Sequence, residues 1–248
     1  MGSNPSRIWY LDSHKTPPGR SGLACIAHET DRPTVLFGSD SNLNLAQALF
    51  DLGGVEIGNF SLGPTAGRSP IYINPRVLIS NPSVLRSIAR LIDREIQADQ
   101  VRRRPRMESF GAVAGVPMGG LHLATAYSLT SDTPLIYVRP DGEKQQIEGR
   151  VIPGQTVLII DDLMTGGTSI LTTARTLEQH GLTVRDAIVL IDREQGGSER
   201  LHQHGYRVMP ILKLKTMLTY YFESGLMDNK HYHEAMDYLE RTKRGSEE

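Results

Sequence analysis

Apolar positions recur in two rhythms along this chain of 248 residues. Leu45, Ala48, Leu49 and Leu52 stand three or four apart, as on one face of a helix, and Gly53-Gly54 ends the run. The same period returns over 83–98 with Leu85, Ile88, Leu91, Ile92 and Ile96, and predicts a longer amphipathic helix. Between them, 55–60 and 71–73 read as short strands around a Gly/Pro/Thr loop. From residue 110 strand-like and helix-like stretches alternate: a strand at 110–114, a helix at 120–129, strands at 135–138 and 157–160, a helix near 169–180, a strand at 186–191, a helix around 198–204 and a short strand at 207–211. Such alternation predicts an α/β fold, a parallel sheet with helices on both faces. The tail, 215–243, reads as one or two helices with Gly225 as the break. Residues 1 to about 40 read as an irregular extension with short apolar pieces, such as Arg7-Ile-Trp-Tyr-Leu11 and Thr34-Val-Leu-Phe37.

Composition narrows the class. With 39% hydrophobic and 22% charged residues, the chain fits one globular domain with an appendage. The expected division is an extension over 1–40 and a domain over 41–248, comprising a hood at about 41–80, a core at about 83–213 and C-terminal helices at about 215–243. A formal net charge of -1 offers no global attraction to nucleic acid or an anionic membrane, so any anion site must be local. The single cysteine, Cys25, excludes an internal disulfide framework. No apolar run approaches the ~20 residues of a membrane span, and Met1-Gly-Ser-Asn-Pro-Ser-Arg7 lacks a secretion signal's apolar core. A cytoplasmic protein that binds neither nucleic acid nor membrane is expected.

The most chemically pointed segment is Val157-Leu-Ile-Ile-Asp161-Asp162-Leu-Met-Thr165-Gly166-Gly167-Thr168-Ser169-Ile170. An apolar run suits a strand buried on both faces, and ligand sites in such sheets lie beyond the strand's carboxyl end. The turn that follows is built of small residues and opens a helix, so backbone N–H groups can approach a phosphate there. An acidic pair beside a phosphate cradle takes hydroxyls or a cation, and a phosphorylated sugar satisfies both features. The segment lacks the lysine-bearing phosphate-loop pattern of the nucleotide triphosphatases and the Gly-x-Gly-x-x-Gly of dinucleotide folds. Gly115 to Gly120, Gly-Val-Pro-Met-Gly-Gly, is a second turn where backbone donors can meet an anion. Arg193 follows another apolar run and offers a fork for a planar carboxylate, although Asp192 and Glu194 are alternative partners. Arg102-Arg-Arg-Arg-Pro-Arg106 lacks interleaved aromatics and reads as a solvated linker. His202, His204, His231 and His233 read as surface histidines, because neither pair has a third ligand nearby in sequence.

The 157–170 segment resembles the phosphoribosyl pyrophosphate (PRPP) signature of the type I phosphoribosyltransferases, and three further segments resemble the orotate phosphoribosyltransferases. These are Ile57-Gly-Asn-Phe-Ser-Leu62 through Gly67-Arg68-Ser69-Pro70-Ile-Tyr-Ile73, Ala114-Gly-Val-Pro-Met-Gly-Gly120 and Val189-Leu-Ile-Asp192-Arg193-Glu194-Gln-Gly-Gly197. The resemblance covers about 43–243. It implies a type I phosphoribosyltransferase-like sheet with a small N-terminal hood, and transfer of a phosphoribosyl group from PRPP to orotate with Mg²⁺ held mainly through PRPP. It further implies a homodimer. By the resemblance, Asp161 and Asp162 face the ribose hydroxyls, and Thr165, Gly166, Gly167, Thr168 and Ser169 take the 5-phosphate. Gly115, Val116, Pro117, Met118, Gly119 and Gly120 face pyrophosphate with Arg139 and Lys144, while Arg193, Phe60, Ser61 and Arg68 meet orotate.

Several positions depart from the family's pattern. The catalytic loop over 139–149 keeps Arg139 but has Pro140 where the family commonly has lysine, retains only Lys144 and carries no histidine. Gly63 and Gly119 stand where relatives place lysine, and Gly166 where a threonine is common. These losses leave two alternatives open on the residues alone: a regulatory PRPP- or nucleotide-binding homologue with a degenerate loop, or a transferase for another base.

Overall fold

The computed structural model describes residues 42–61, 68–139 and 146–244. The 1–40 extension, Gly63 and Lys144 lie outside the described residues, as does the side chain of Ser61. The elements run α1 (Asn42–Asp51), β1 (Val55–Ser61), β2 (Arg68–Ile73), a 3-10 turn (Pro75–Ser80), α2 (Pro82–Gln100), β3 (Ala112–Gly115), α3 (Gly119–Ser131), β4 (Leu135–Val138), β5 (Ile147–Glu148), β6 (Thr156–Met164), α4 (Thr168–Gln179), β7 (Thr183–Asp192), α5 (Gly197–Gln203), β8 (Arg207–Lys213), α6 (Leu214–Glu223) and α7 (Asn229–Arg244).

Local chemistry sets the boundaries of these elements. Asn81 caps α2 by accepting from the N–H groups of Ser83 and Val84, with Pro82 in the first turn where its missing donor costs nothing. At the end of α1, Gly53 takes φ +69°, and the Gly54 N–H returns to the Leu49 carbonyl at 2.7 Å. Gly225, at φ +71°, separates α6 from α7. The Arg102–Arg106 stretch is exposed, and the buried Asp99 carboxylate accepts the N–H groups of Arg106 and Met107 behind it.

Six strands form the main sheet in the order β5-β4-β3-β6-β7-β8, and β1 and β2 form a separate antiparallel ribbon. Every pair in the main sheet is parallel except β4 with β5. Alternate residues of the central strands feed two cores. Leu158, Ile160, Ile188 and Leu190 pack with Ile88, Leu123 and Tyr221 on one side, while Ile159 and Val189 pack with Ile170, Leu171 and Leu201 on the other. This burial on both faces explains why β6 and β7 read as unbroken apolar runs.

The mainly parallel sheet flanked by helices is the fold class the alternation predicts. One difference bears on chemistry: β6 does not stop at Ile160 but continues to Met164. Asp161 opposes Val189, Leu163 opposes Ile191 and Met164 opposes Asp192 on β7. The acidic pair therefore sits within the ladder, and its backbone is fixed by the neighbouring strand. The antiparallel edge strand β5 and the 3-10 turn are further elements without a hydrophobic rhythm to announce them.

Candidate active site

The strand order reverses direction at the β3/β6 boundary. From β3 the chain passes through α3 to β4 on one side, and from β6 through α4 to β7 on the other. Open parallel sheets bind ligands outside the carboxyl ends of their strands at such a switch point. The loops after β3 and β6 meet there, and Asp161 and Asp162 lie between them with 5% and 8% exposure. The Asp162 N–H donates to Asp161 Oδ1 at 2.9 Å. Burial holds the Asp161 carboxyl well above the usual carboxylate range, the neighbouring Asp162 charge pushes it the same way, and Arg76 opposes them. Arg76 Nε stands 3.5 Å from Asp162 Oδ2.

Glycine makes this approach sterically feasible at the start of α3. A Cβ on Gly119 would run into the Asp162 carboxylate, and one on Gly120 would run into the Ile160 carbonyl oxygen. The Val116 N–H donates to the same Ile160 carbonyl at 3.0 Å, which ties the 115–120 turn to β6. Since backbone cannot swing aside as a side-chain tip can, Gly120→Ala is expected to cost about 1–3 kcal/mol by overpacking. Thermal unfolding of the variant checks this, and an unchanged midpoint would show that the contact is slack.

After β6, Gly167 takes φ +72° and starts α4 without any side-chain cap. The Leu171 N–H reaches the Gly167 carbonyl, so the N–H groups of Thr168, Ser169 and Ile170 precede the first intrahelical bond. Gly166 has open space where a Cβ would be. From α5, Arg200 Nη1 donates to Thr168 Oγ1 at 2.9 Å and to the Gly166 carbonyl at 3.3 Å. Three small clefts share Ser169. One of 220 Å³ is lined by residues 163–170 and Asp161. One of 280 Å³ holds Asp161, Asp162, Arg76, Pro117 and Gly119, and another of 280 Å³ holds Arg139, Val116, Pro117 and Thr168. The acidic pair, both turns and Arg139 are thus brought together. Arg139 pairs with Glu148 at 3.6 Å.

Arg193 follows β7, and its N–H donates to the Met164 carbonyl beside the end of β6. Its side chain is 2% exposed and carries no carboxylate partner among the described residues. Nη2 donates to Ser69 Oγ at 3.2 Å, and Tyr238 lies alongside, while Nε has no partner. Burial pushes the guanidinium's pKa down. Neither sequence neighbour neutralises it: Asp192 accepts from the Glu194 N–H and the Ser198 hydroxyl, and Glu194 accepts from the Lys215 N–H. Phe60 stacks obliquely with Tyr72 at 5.8 Å, and Tyr72 lines the Asp161 cleft. Arg68 is not gathered there; it lines a separate 460 Å³ cleft with His231, Glu234 and Tyr238.

Three residues beyond the motif segments belong to the Asp161 cleft, Asn74, Pro75 and Arg76, and Tyr72 joins it from within the 67–73 segment without having been given a role. Strand alternation places Tyr72 opposite the buried Ile71 and Ile73, which is the readable signal for it. Asn74 accepts from the Arg76 N–H at 3.2 Å and so starts the 3-10 turn that aims Arg76. Among the described residues no cluster of three or more His, Cys, Asp or Glu side chains is placed to hold a metal ion. Asp161 and Asp162 are hard oxygen donors of the kind Mg²⁺ takes, and two carboxylates leave most of its coordination to oxygens from substrate or water.

The phosphoribosyl transferase domain family matches residues 78–210. Bovine uridine 5'-monophosphate synthase is 37% identical over 179 residues, covering 71% of this chain and 36% of that protein. Orotate phosphoribosyltransferase of Pyrococcus abyssi is 35% identical over 173 residues, covering 68% of this chain and 90% of that enzyme. Among solved structures, Leishmania donovani UMP synthase superposes with a TM-score of 0.72 at 31% identity, over 81% of this chain and 42% of that one. The chain thus spans well under half of the two synthases and most of the archaeal enzyme. The family's domain is matched from the 3-10 turn into β8, a stretch that includes both turns of the switch-point cleft, and the chain belongs to the phosphoribosyl transferase family.

Proposed function

We propose that the protein is an orotate phosphoribosyltransferase that forms orotidine 5'-phosphate and pyrophosphate from orotate and PRPP. The observation that carries the choice of base is Arg193: a buried guanidinium with an unpartnered Nε and no carboxylate, one strand from a buried acidic pair. A buried charge of this kind lacks a counter-ion that an orotate carboxylate supplies. The resemblance to enzymes named for orotate supports the same choice.

In this reading Asp161 and Asp162 hold the ribose hydroxyls, and the N–H groups and hydroxyls of Thr165 to Ser169 hold the 5-phosphate. The turn from Gly115 to Gly120 faces pyrophosphate together with Arg139 and Lys144. Arg193 orients orotate, with Phe60 and Ser61 contributing from the hood and Arg68 from the neighbouring cleft, which it shares with Ser69, the hydroxyl that Arg193 holds. Orotate N1 gives up its proton to water or to the leaving pyrophosphate; as the N1–C1 bond forms and the C1–O bond to pyrophosphate breaks, positive charge grows on the ribose and negative charge on the leaving group. The protein has to stabilise that separation rather than supply a nucleophile. Mg²⁺, when bound with PRPP, supplies further neutralisation of the pyrophosphate oxygens, and Asp161 and Asp162 are the residues placed to steady it. A homodimer in the cytoplasm completes the proposal.

The test is loss of orotate absorbance by purified protein with PRPP and Mg²⁺. Orotate consumption that needs both additions, with orotidine 5'-phosphate identified by mass, is the expected result. Product formed from a purine or from uracil, with orotate untouched, would replace orotate as the base; PRPP binding without turnover on any base would make the protein a binding homologue.

A further inference from the structure

We propose that Arg76 is the cation that meets the departing pyrophosphate at the Asp162 side of the cleft, a role that rests on the transferase reading above. The 139–149 loop and the Gly119 position are short of lysine, so positive charge has to come from elsewhere. A side chain cannot simply be added at 119, because the Asp162 carboxylate occupies the place of its Cβ. Arg76 reaches this spot from the opposite wall. Its Nε lies 3.5 Å from Asp162 Oδ2, and it shares a cleft with Pro117, Gly119 and Ser169.

Its attachment is suited to the role. The Asn74 side chain holds the Arg76 N–H, and the 3-10 turn is rooted by the buried Pro75 and Leu78. The base of the side chain is therefore fixed. Its guanidinium is largely solvent-facing, with 62% of the side chain exposed. Asp162 is buried, but the arginine end of the pair is open to water, which screens the interaction from that side and keeps its contribution to stability modest. A planar fork that spends Nε toward one carboxylate retains its two terminal nitrogens for phosphate oxygens. The other arginine of the cleft, Arg139, pairs with Glu148 and lies beyond Val116 and Pro117. Each cation thus lines its own cleft with Val116, Pro117 and Ser169, and Arg76 alone shares one with Gly119 and Asp162.

Arg76→Gln and Arg76→Lys decide the matter in the full-length protein. Turnover with orotate and PRPP is measured beside calorimetric binding of pyrophosphate with Mg²⁺. Arg76→Gln is expected to lower kcat by about a hundredfold, the usual loss for one preorganised charged donor, and pyrophosphate affinity by about tenfold. The KM for orotate should stay within about twofold. Arg76→Lys, which keeps the charge, should recover most of the pyrophosphate affinity. A merely structural role would depress orotate and pyrophosphate binding together and would not respond to restored charge. Wild-type kcat and pyrophosphate affinity in Arg76→Gln overturn the proposal. If the wild type fails to consume orotate, the choice of base fails on its own, and pyrophosphate binding still decides Arg76: equal affinities in wild type and Arg76→Gln, or none in either, overturn it.

Discussion

Asp161→Asn with Asp162→Asn is expected to reduce turnover by about a thousandfold or more while leaving the fold at least as stable at neutral pH. The loss follows from removing two preorganised charges where the ribose becomes cationic, each of which is worth about a hundredfold or more in a water-poor site. The gain in stability has a separate origin. The Asp161 carboxyl is raised well above the usual carboxylate range, first by burial and then by Asp162. A raised acid favours the fold while it is protonated, at pH below about 4, its unfolded value, and that benefit is lost as pH rises through its higher folded value. At pH 7, above the unfolded value, the raised Asp161 carboxyl therefore opposes folding of the unliganded protein, and asparagine removes the opposition. Kinetics by orotate absorbance and thermal unfolding at pH 5 and pH 7 separate the two effects. Undiminished turnover would remove Asp161 and Asp162 from the site, and a collapsed unfolding midpoint would make them structural.

Arg193→Met carries the second large expected effect. Methionine fills much of the same volume without a buried charge whose Nε lacks a partner. The unliganded protein should lose little stability, because Arg193 forms no ion pair with a carboxylate among the described residues. Orotate, however, loses a charge-assisted contact to a buried guanidinium, a change of about 2–4 kcal/mol, or roughly 30- to 1,000-fold in orotate KM. PRPP affinity should hold, since the phosphate cradle is made of the N–H groups that open α4 and its side-chain support comes from Arg200, not Arg193. Arg193→Lys should not rescue orotate binding, because an ammonium cannot reproduce the two-pronged geometry. An unchanged orotate KM in Arg193→Met would detach Arg193 from the base.

The architecture was largely legible because β6 and β7 are buried on both faces and α2 on one, so their apolar spacing is dictated by packing. What escaped the pattern escaped for physical reasons. The reach of β6 to Met164 is hidden because charged residues interrupt the apolar run, while its ladder is set by β7, more than twenty residues onward. The glycines at 119 and 120 were recognisable as a turn, but their reason is the carboxylate and carbonyl packed against them. Arg193 was recognisable as a carboxylate fork, yet its choice of Ser69, 124 residues away, over adjacent Asp192 is a tertiary decision. Arg76 left no trace in the periodicity, because it lies in a 3-10 turn organised by one asparagine.

The most direct measurement is a crystal structure of the protein with orotidine 5'-phosphate bound. The phosphate is predicted on the N–H groups that open α4, between Thr165 and Ser169, the ribose hydroxyls on Asp161 and Asp162, and the orotate carboxylate on Arg193. A nucleotide seated outside the β3/β6 switch point, or one whose phosphate rather than base reaches Arg193, would contradict the assignment.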